Sequence, residues 1–125
     1  MRWQISKAVI EKEGKFLLLL RRDGNSYPNM WDFAGGKLDP GETPEQACIR
    51  EVSEETHQKI SELQALGEKE YSDDVRAITF YYFSPEKIEG DVVLSKDHDD
   101  FGWFTLEDIK IMPKHPSLLC YFNLE

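Results

Sequence analysis

Along the chain, apolar residues fall into short blocks separated by turn chemistry, with one stretch of helical period near the middle. Residues 3–22 predict two strands joined by a turn at Glu13-Gly14-Lys15. The second strand, around residues 16–20, is almost wholly apolar, as expected of a strand covered on both faces. Residues 21–30 are rich in Gly, Asn, Ser and Pro and read as loop. Residues 31–34 read as a short strand and residues 35–42 as a Gly/Pro turn. Thr43 opens a helix: Pro44 suits the first helical position, Gln46 completes a capping box, and the pattern runs to about Thr56.

Two strands are expected next, at residues 59–71 and 75–83, split by a Ser72-Asp73-Asp74 turn, with Pro85 ending the second. Residues 90–95 offer another strand and residues 96–100 an acidic loop. Residues 102–106 form a further short strand, and Thr105 caps a helix over residues 105–110. Pro113 and Pro116 interrupt the tail, where Ser117 is expected to cap a last short helix. This order implies an α/β (α+β) fold, a mixed sheet with helices packed on it, within one domain spanning residues 1–125.

A chain of 125 residues buries roughly two-thirds of its unfolded surface, enough for a core. The net charge of −9 argues against a nucleic-acid polymer as partner, since such binding runs on basic patches. A small anion remains admissible if a metal mediates. The longest apolar run is too short to span a membrane, nothing in the start MRWQISK marks export, and Cys48 and Cys120 fit no metal or redox spacing. The expectation is therefore a cytoplasmic protein with reduced thiols.

The charge pattern of the central helix changes the picture. Glu51, Glu54 and Glu55 fall within about 100° of one helix face, with Ile49, Val52 and Thr56 expected on a different, core-facing side. Carboxylates at this spacing repel. They either form a solvated face partly paired by Arg50, or hold a hard cation such as Mg²⁺ or Mn²⁺.

Reading on from Gly36, Glu42 follows after six residues, Arg50-Glu51 after eight more, then Val52 and Glu54-Glu55. This spacing resembles the Nudix hydrolase signature G-x5-E-x7-R-E-U-x-E-E-x-G-U, and the surrounding WDFAGGKLDPGETPEQA resembles the MutT-like branch. The chain departs from the pattern at His57, where glycine is usual, and at Gln58, where an apolar residue is usual. His57 is expected to cap the helix with a left-handed backbone, and Ile60 to supply the missing apolar contact.

The resemblance implies a Nudix-like α/β/α sandwich. It also implies hydrolysis of a nucleoside diphosphate linked to another moiety: a nucleoside triphosphate first, with ADP-ribose or a nucleotide sugar as the alternative. A catalytically silent nucleotide-binding module is a further alternative. By the residue match, Glu51, Glu54, Glu55 and the Gly35 carbonyl hold Mg²⁺ (or Mn²⁺), with Glu54 and Glu51 catalytic and Glu42–Arg50 a structural ion pair. A further carboxylate comes from the loop before Trp103: Asp100 first, Asp97 second. Substrate contacts map to Arg22, Asp32, Phe33, Ala34, Lys37 and His115. A histidine cannot offer an amide's paired donor and acceptor, which argues against specificity for oxidised guanine. The partner implied is a small nucleotide, handled by a monomer or homodimer.

Overall fold

A computed structural model describes residues 2–124. Strand β1 (Arg2–Ala8) is followed by β2 (Glu11–Lys12) and β3 (Lys15–Arg21), then by β4 (Trp31–Asp32) and β5 (Ala34–Lys37). Helix α1 (Pro44–Thr56) leads into the long hairpin of β6 (Lys59–Ser72) and β7 (Ala77–Glu89), and β8 (His98–Phe104), α2 (Leu106–Lys110) and α3 (Pro116–Phe122) complete the order.

The strands form two sheets. One has the order β5-β1-β7-β6 and is mixed, because β1 runs parallel to β7 while the other pairs are antiparallel. In the other, β3 pairs with β2, β4 and β8, all antiparallel. The chain crosses between sheets at Val9–Ile10: the Val9 amide still bonds to Phe83, while the Ile10 carbonyl accepts from Leu17. Glu13 and Gly14, both at positive φ, then reverse the chain between β2 and β3.

Strand β3, apolar from Phe16 to Leu20, separates two cores. Phe16 and Leu18 join Phe33, Phe80, Tyr82, Ile109 and Leu118, while Leu17 and Leu19 join Cys48, Val52, Ile60 and Phe83 beneath α1. Helices thus lie on either side of the strands, an α/β sandwich.

Several local expectations give way. Residues 90–95 form no strand; the segment is bonded to the end of α1 instead, Val93 to Thr56 and Ser95 to Glu55. Pro85 does not end β7, since β1 accompanies β7 only to Phe83, and beyond it the missing amide faces no partner on that side. Gly35, Gly36 and Lys37 belong to β5 rather than to a turn, and β8 begins at His98, so Asp99 and Asp100 are strand residues.

His115, not Ser117, caps α3: its Nδ1 accepts the Ser117 amide, and Pro116 takes the first helical position. Ile49 is exposed, leaving Ala47, Cys48, Val52 and Thr56 as the buried face of α1. Thr43 and Gln46 form the capping box, and His57 ends the helix at φ 61°, its Nδ1 lying 2.6 Å from the Val93 carbonyl. Gln58 is buried with its amide donating to Gly90, and Ile60 fills the apolar site against Val52.

Candidate active site

The C-terminal half of α1 packs on β5 and β1, and the two glycines of β5 permit the close approach. A Cβ on Gly36 would lie 2.5 Å from a Glu51 carboxylate oxygen. At Gly35, φ is 144° and a Cβ would meet the Ser6 carbonyl. The Gly35 amide donates to Glu55 Oε1 at 2.8 Å.

Arg50 organises the rest. Its Nε and one terminal nitrogen hold both oxygens of Glu42 at 2.7 and 2.9 Å, the latter nitrogen also reaching the Lys37 carbonyl. The other terminal nitrogen touches Glu51 at 2.8 Å and Glu54 at 3.1 Å. The Arg50 hydrogen bond and the neighbouring Asp39 amide draw the Glu42 carboxyl down to about 2.

Glu51 and Glu55 face a cavity of about 340 Å³. Burial pushes Glu55 up to about 8, against the opposing charge of Lys7 and the Gly35 hydrogen bond. Burial raises Glu51 as well, with Arg50 pulling the other way. Among the described residues, no three acidic, histidine or cysteine side chains converge into a formed cage. Arg50 draws Glu51 and Glu54 to itself, while Glu55 is tied to β5. The donors nevertheless suit a hard divalent ion: carboxylate oxygens on one helix face, beside a backbone that glycine brings close.

Aromatic and cationic side chains line the same cavity. His115 lies there edge-on to Tyr27, at 4.8 Å between ring centres. Arg76 sits over the rings of Trp3 and Tyr27, and Lys37 Nζ lies 3.2 Å from the Trp3 ring centre. The Tyr27 hydroxyl donates to Asp73, tying the 22–30 loop to the β6–β7 turn. His98 lines the wall opposite Arg21, where the β3–β8 register shifts at a bulge.

Burial pushes His115 down to about 3 and His98 to about 4, so both rings are neutral at pH 7. Below them lies Asp32, fully buried and bonded to Lys7, Arg21 and the Ser117 hydroxyl. Burial opposes its ionisation, but the charges of Lys7 and Arg21, with the Lys7 hydrogen bond, outweigh it and hold the carboxyl well below the ordinary range.

The residues singled out in the sequence therefore scatter. Gly35, Lys37, Glu51, Glu55, His115 and Asp97 line the cavity, and Glu54 stands exposed beside it on Arg50. Phe33 is packed among Tyr82, Tyr121 and Phe122 in the core, and Ala34 is buried under α1, so neither lines the cavity. Arg22 turns outward to Asp99, because the bulge brings Arg21 inward in its place. Asp100 is exposed on β8 with its carboxylate on the next amide, away from the cavity. The sequence reading passed over Lys7, Arg21, Trp3, Tyr27, Arg76 and His98. Of these, Lys7 carried a signal, a lone charge inside the apolar run ISKAVI.

The model of the NUDIX domain matches residues 3–122. The chain belongs to the Nudix family. It is 28% identical over 117 residues to nucleoside triphosphatase NudI of Enterobacter sp., covering 83% of this chain and 82% of that one. It is 34% identical over 89 residues to 8-oxo-dGTP diphosphatase of Escherichia coli, covering 70% and 69% of the two chains. To the CTP pyrophosphohydrolase of E. coli it is 29% identical over 116 residues, with 91% and 84% covered. The MutT NUDIX hydrolase structure from Burkholderia pseudomallei superposes with a TM-score of 0.84 at 24% identity, over 95% of both chains. The MutT protein from Methanosarcina mazei superposes with a TM-score of 0.81 at 30% identity, over 93% and 86%.

The protein is thus a MutT-like Nudix hydrolase acting on phosphoric anhydrides of small nucleotides, and such hydrolases generally need divalent metal ions. No helix among the described residues is long and apolar enough to cross a membrane.

Proposed function

We propose that the protein is a Mg²⁺- or Mn²⁺-dependent nucleoside triphosphate pyrophosphohydrolase, releasing a nucleoside monophosphate and pyrophosphate, with the whole chain acting as one domain. The observation that carries this reading is a single cavity lined by Glu51 and Glu55 together with Trp3, Tyr27 and His115. It is built to hold a polyanion and a planar base at the same time.

Glu51, Glu54, Glu55 and the Gly35 carbonyl hold the metal, which when bound offsets the charge of the linkage and acidifies water. Arg50, anchored by Glu42, sets the positions of Glu51 and Glu54 before substrate arrives. Lys37 takes phosphate at the open edge of the cavity. Asp97, which lines the wall, replaces Asp100 as the loop carboxylate that accepts the proton of the attacking water. Water adds to phosphorus, one P–O–P bond breaks, and the released proton passes to solvent. The named activities of three relatives, on nucleoside triphosphates, 8-oxo-dGTP and CTP, support a triphosphate over ADP-ribose.

The test is a substrate panel with Mg²⁺: canonical and oxidised nucleoside triphosphates beside ADP-ribose, a nucleotide sugar and dinucleotide polyphosphates, with products identified. Turnover of triphosphates to monophosphate and pyrophosphate is expected. Hydrolysis confined to ADP-ribose or a nucleotide sugar would overturn the substrate, and a folded protein without turnover would overturn the activity.

A further inference from the structure

We propose that Lys7 is a substrate-contacting residue, its buried ammonium binding the sugar-linked phosphate of the nucleotide. This rests on the functional reading above. Lys7 is 2% exposed, yet it is part of the cavity wall. Burying a lysine is costly unless its charge is paired and used. Its Nζ lies 2.8 Å from Asp32 Oδ2 and 3.3 Å from the Phe33 carbonyl. Those two acceptors take two of its three N–H groups, leaving one for a ligand.

The position along the cavity identifies the ligand group. Lys7 pairs in register with Gly35, whose amide holds Glu55, at the metal-binding end. Its ammonium bonds Asp32, whose second oxygen binds Ser117, a residue held in turn by His115. Lys7 therefore stands between Glu55, on which its charge acts, and His115, which lies against the same Asp32 oxygen. In a nucleotide spanning that length, the phosphate nearest the sugar occupies the middle. Arg21, 3.3 Å from the same Asp32 oxygen, lines the cavity beside it. Two cations share one carboxylate, and the trio keeps one net positive charge for an anion.

The test compares nucleoside monophosphates with the corresponding nucleosides, by titration calorimetry or by quenching of the cavity tryptophan Trp3. Lys7→Met removes the ammonium, and Lys7→Met with Asp32→Asn is the companion should the single variant fold poorly. The expected result is a monophosphate affinity at least ten-fold weaker in the folded variant, with nucleoside affinity unchanged and KM for triphosphate raised more than kcat is lowered. Equal weakening of monophosphate and nucleoside would show a structural residue and overturn the proposal. Unchanged monophosphate affinity would overturn it too. Wild-type protein that turns over no nucleotide would remove the functional reading, and this inference with it.

Discussion

The Gly35 amide donates to Glu55 Oε1 over 2.8 Å, fastening β5 to the last turn of α1. That bond favours the carboxylate, yet burial dominates and lifts the group to about 8, from an ordinary 4.5. Folded protein then holds a proton on Glu55 that the unfolded chain has lost, so this contribution to stability is complete below pH 4.5 and fades as pH rises through 8. His98 and His115 act in the opposite sense. Their folded values of about 4 and 3 lie below the ordinary 6.5, so their contribution is complete above pH 6.5 and is lost as pH falls. Metal-free protein should therefore be most stable near pH 6.5. Melting curves between pH 4.5 and 8.5 test this, and Glu55→Gln should flatten the alkaline limb. Added Mg²⁺ should restore stability at pH 8 more than at pH 6. A melting temperature that climbs steadily to pH 8.5 without metal would refute the assignment.

Glu54 and the loop aspartates separate metal holding from proton transfer. Glu54 is exposed and held only at its tip by Arg50, so Glu54→Gln should leave the melting temperature nearly unchanged. Its turnover with Mg²⁺ should fall by roughly 10²-fold or more. Asp97→Asn should slow turnover less than that, and Asp100→Asn least of all, because Asp100 does not reach the cavity. If Asp100→Asn proves more damaging than Asp97→Asn, the proton acceptor lies on β8.

Gly36 gives a second route to the same carboxylates without touching their charge. Its Cβ would fall 2.5 Å from a Glu51 oxygen, so Gly36→Ala must push that side chain out of place. Catalytic efficiency should drop by about 10²-fold, the usual cost of misplacing a reacting group by an ångström or so. The protein should stay folded, because Gly36 needs no left-handed backbone. Wild-type activity in this variant would mean that Glu51 is free to move and is not a positioned ligand.

Arg50 uses its fork on Glu42 and its other edge on Glu51 and Glu54. A lysine reaches one of these at a time. Arg50→Lys should lower the melting temperature by several degrees and turnover by more than about ten-fold. Circular dichroism melts beside initial rates would show it, and a variant equal to wild type in both would reduce the network to surface decoration.

How much of this was legible in the sequence depended on whether the signal was local. The α1 capping box, the two-sided burial of β3 and the glutamate spacing are all properties of short segments, and each could be read from residues three to eight apart. The cavity is different. Lys7, His98 and Arg76 come from β1, β8 and the β6–β7 turn, and they meet through sheet pairing that no local pattern encodes. The family resemblance maps a substrate contact to Arg22, and nothing local in the strand separates it from Arg21. The bulge at Leu20/Arg21 makes that choice, and it depends on β8. Phe33 was ambiguous for the same reason: an aromatic beside a glycine pair suits a pocket or a core, and packing against Tyr82 and Phe122 decides for the core.

His57 sits where the family pattern has glycine, and its two contributions to stability nearly cancel. At φ 61° it accepts a left-handed backbone, which costs a non-glycine residue about 1 kcal/mol. In return its Nδ1 meets the Val93 carbonyl at 2.6 Å and helps hold residues 90–95 against the end of α1. A hydrogen bond of that kind contributes about 1 kcal/mol. His57→Gly relieves the first and forfeits the second, so global stability should change by less than about 1 kcal/mol. The local effect should be plain. Without the imidazole, the Val93 and Ser95 amides keep their bonds to Thr56 and Glu55 but lose the side chain that braces them, and their hydrogen exchange should accelerate. Because Glu55 shares that bracing through Ser95, exchange at the Gly35 amide should rise as well, ahead of any change in the core of β3. Unchanged exchange at Val93, Ser95 and Gly35, together with a large loss of melting temperature, would show that the histidine stabilises the helix itself and not the segment that crosses it.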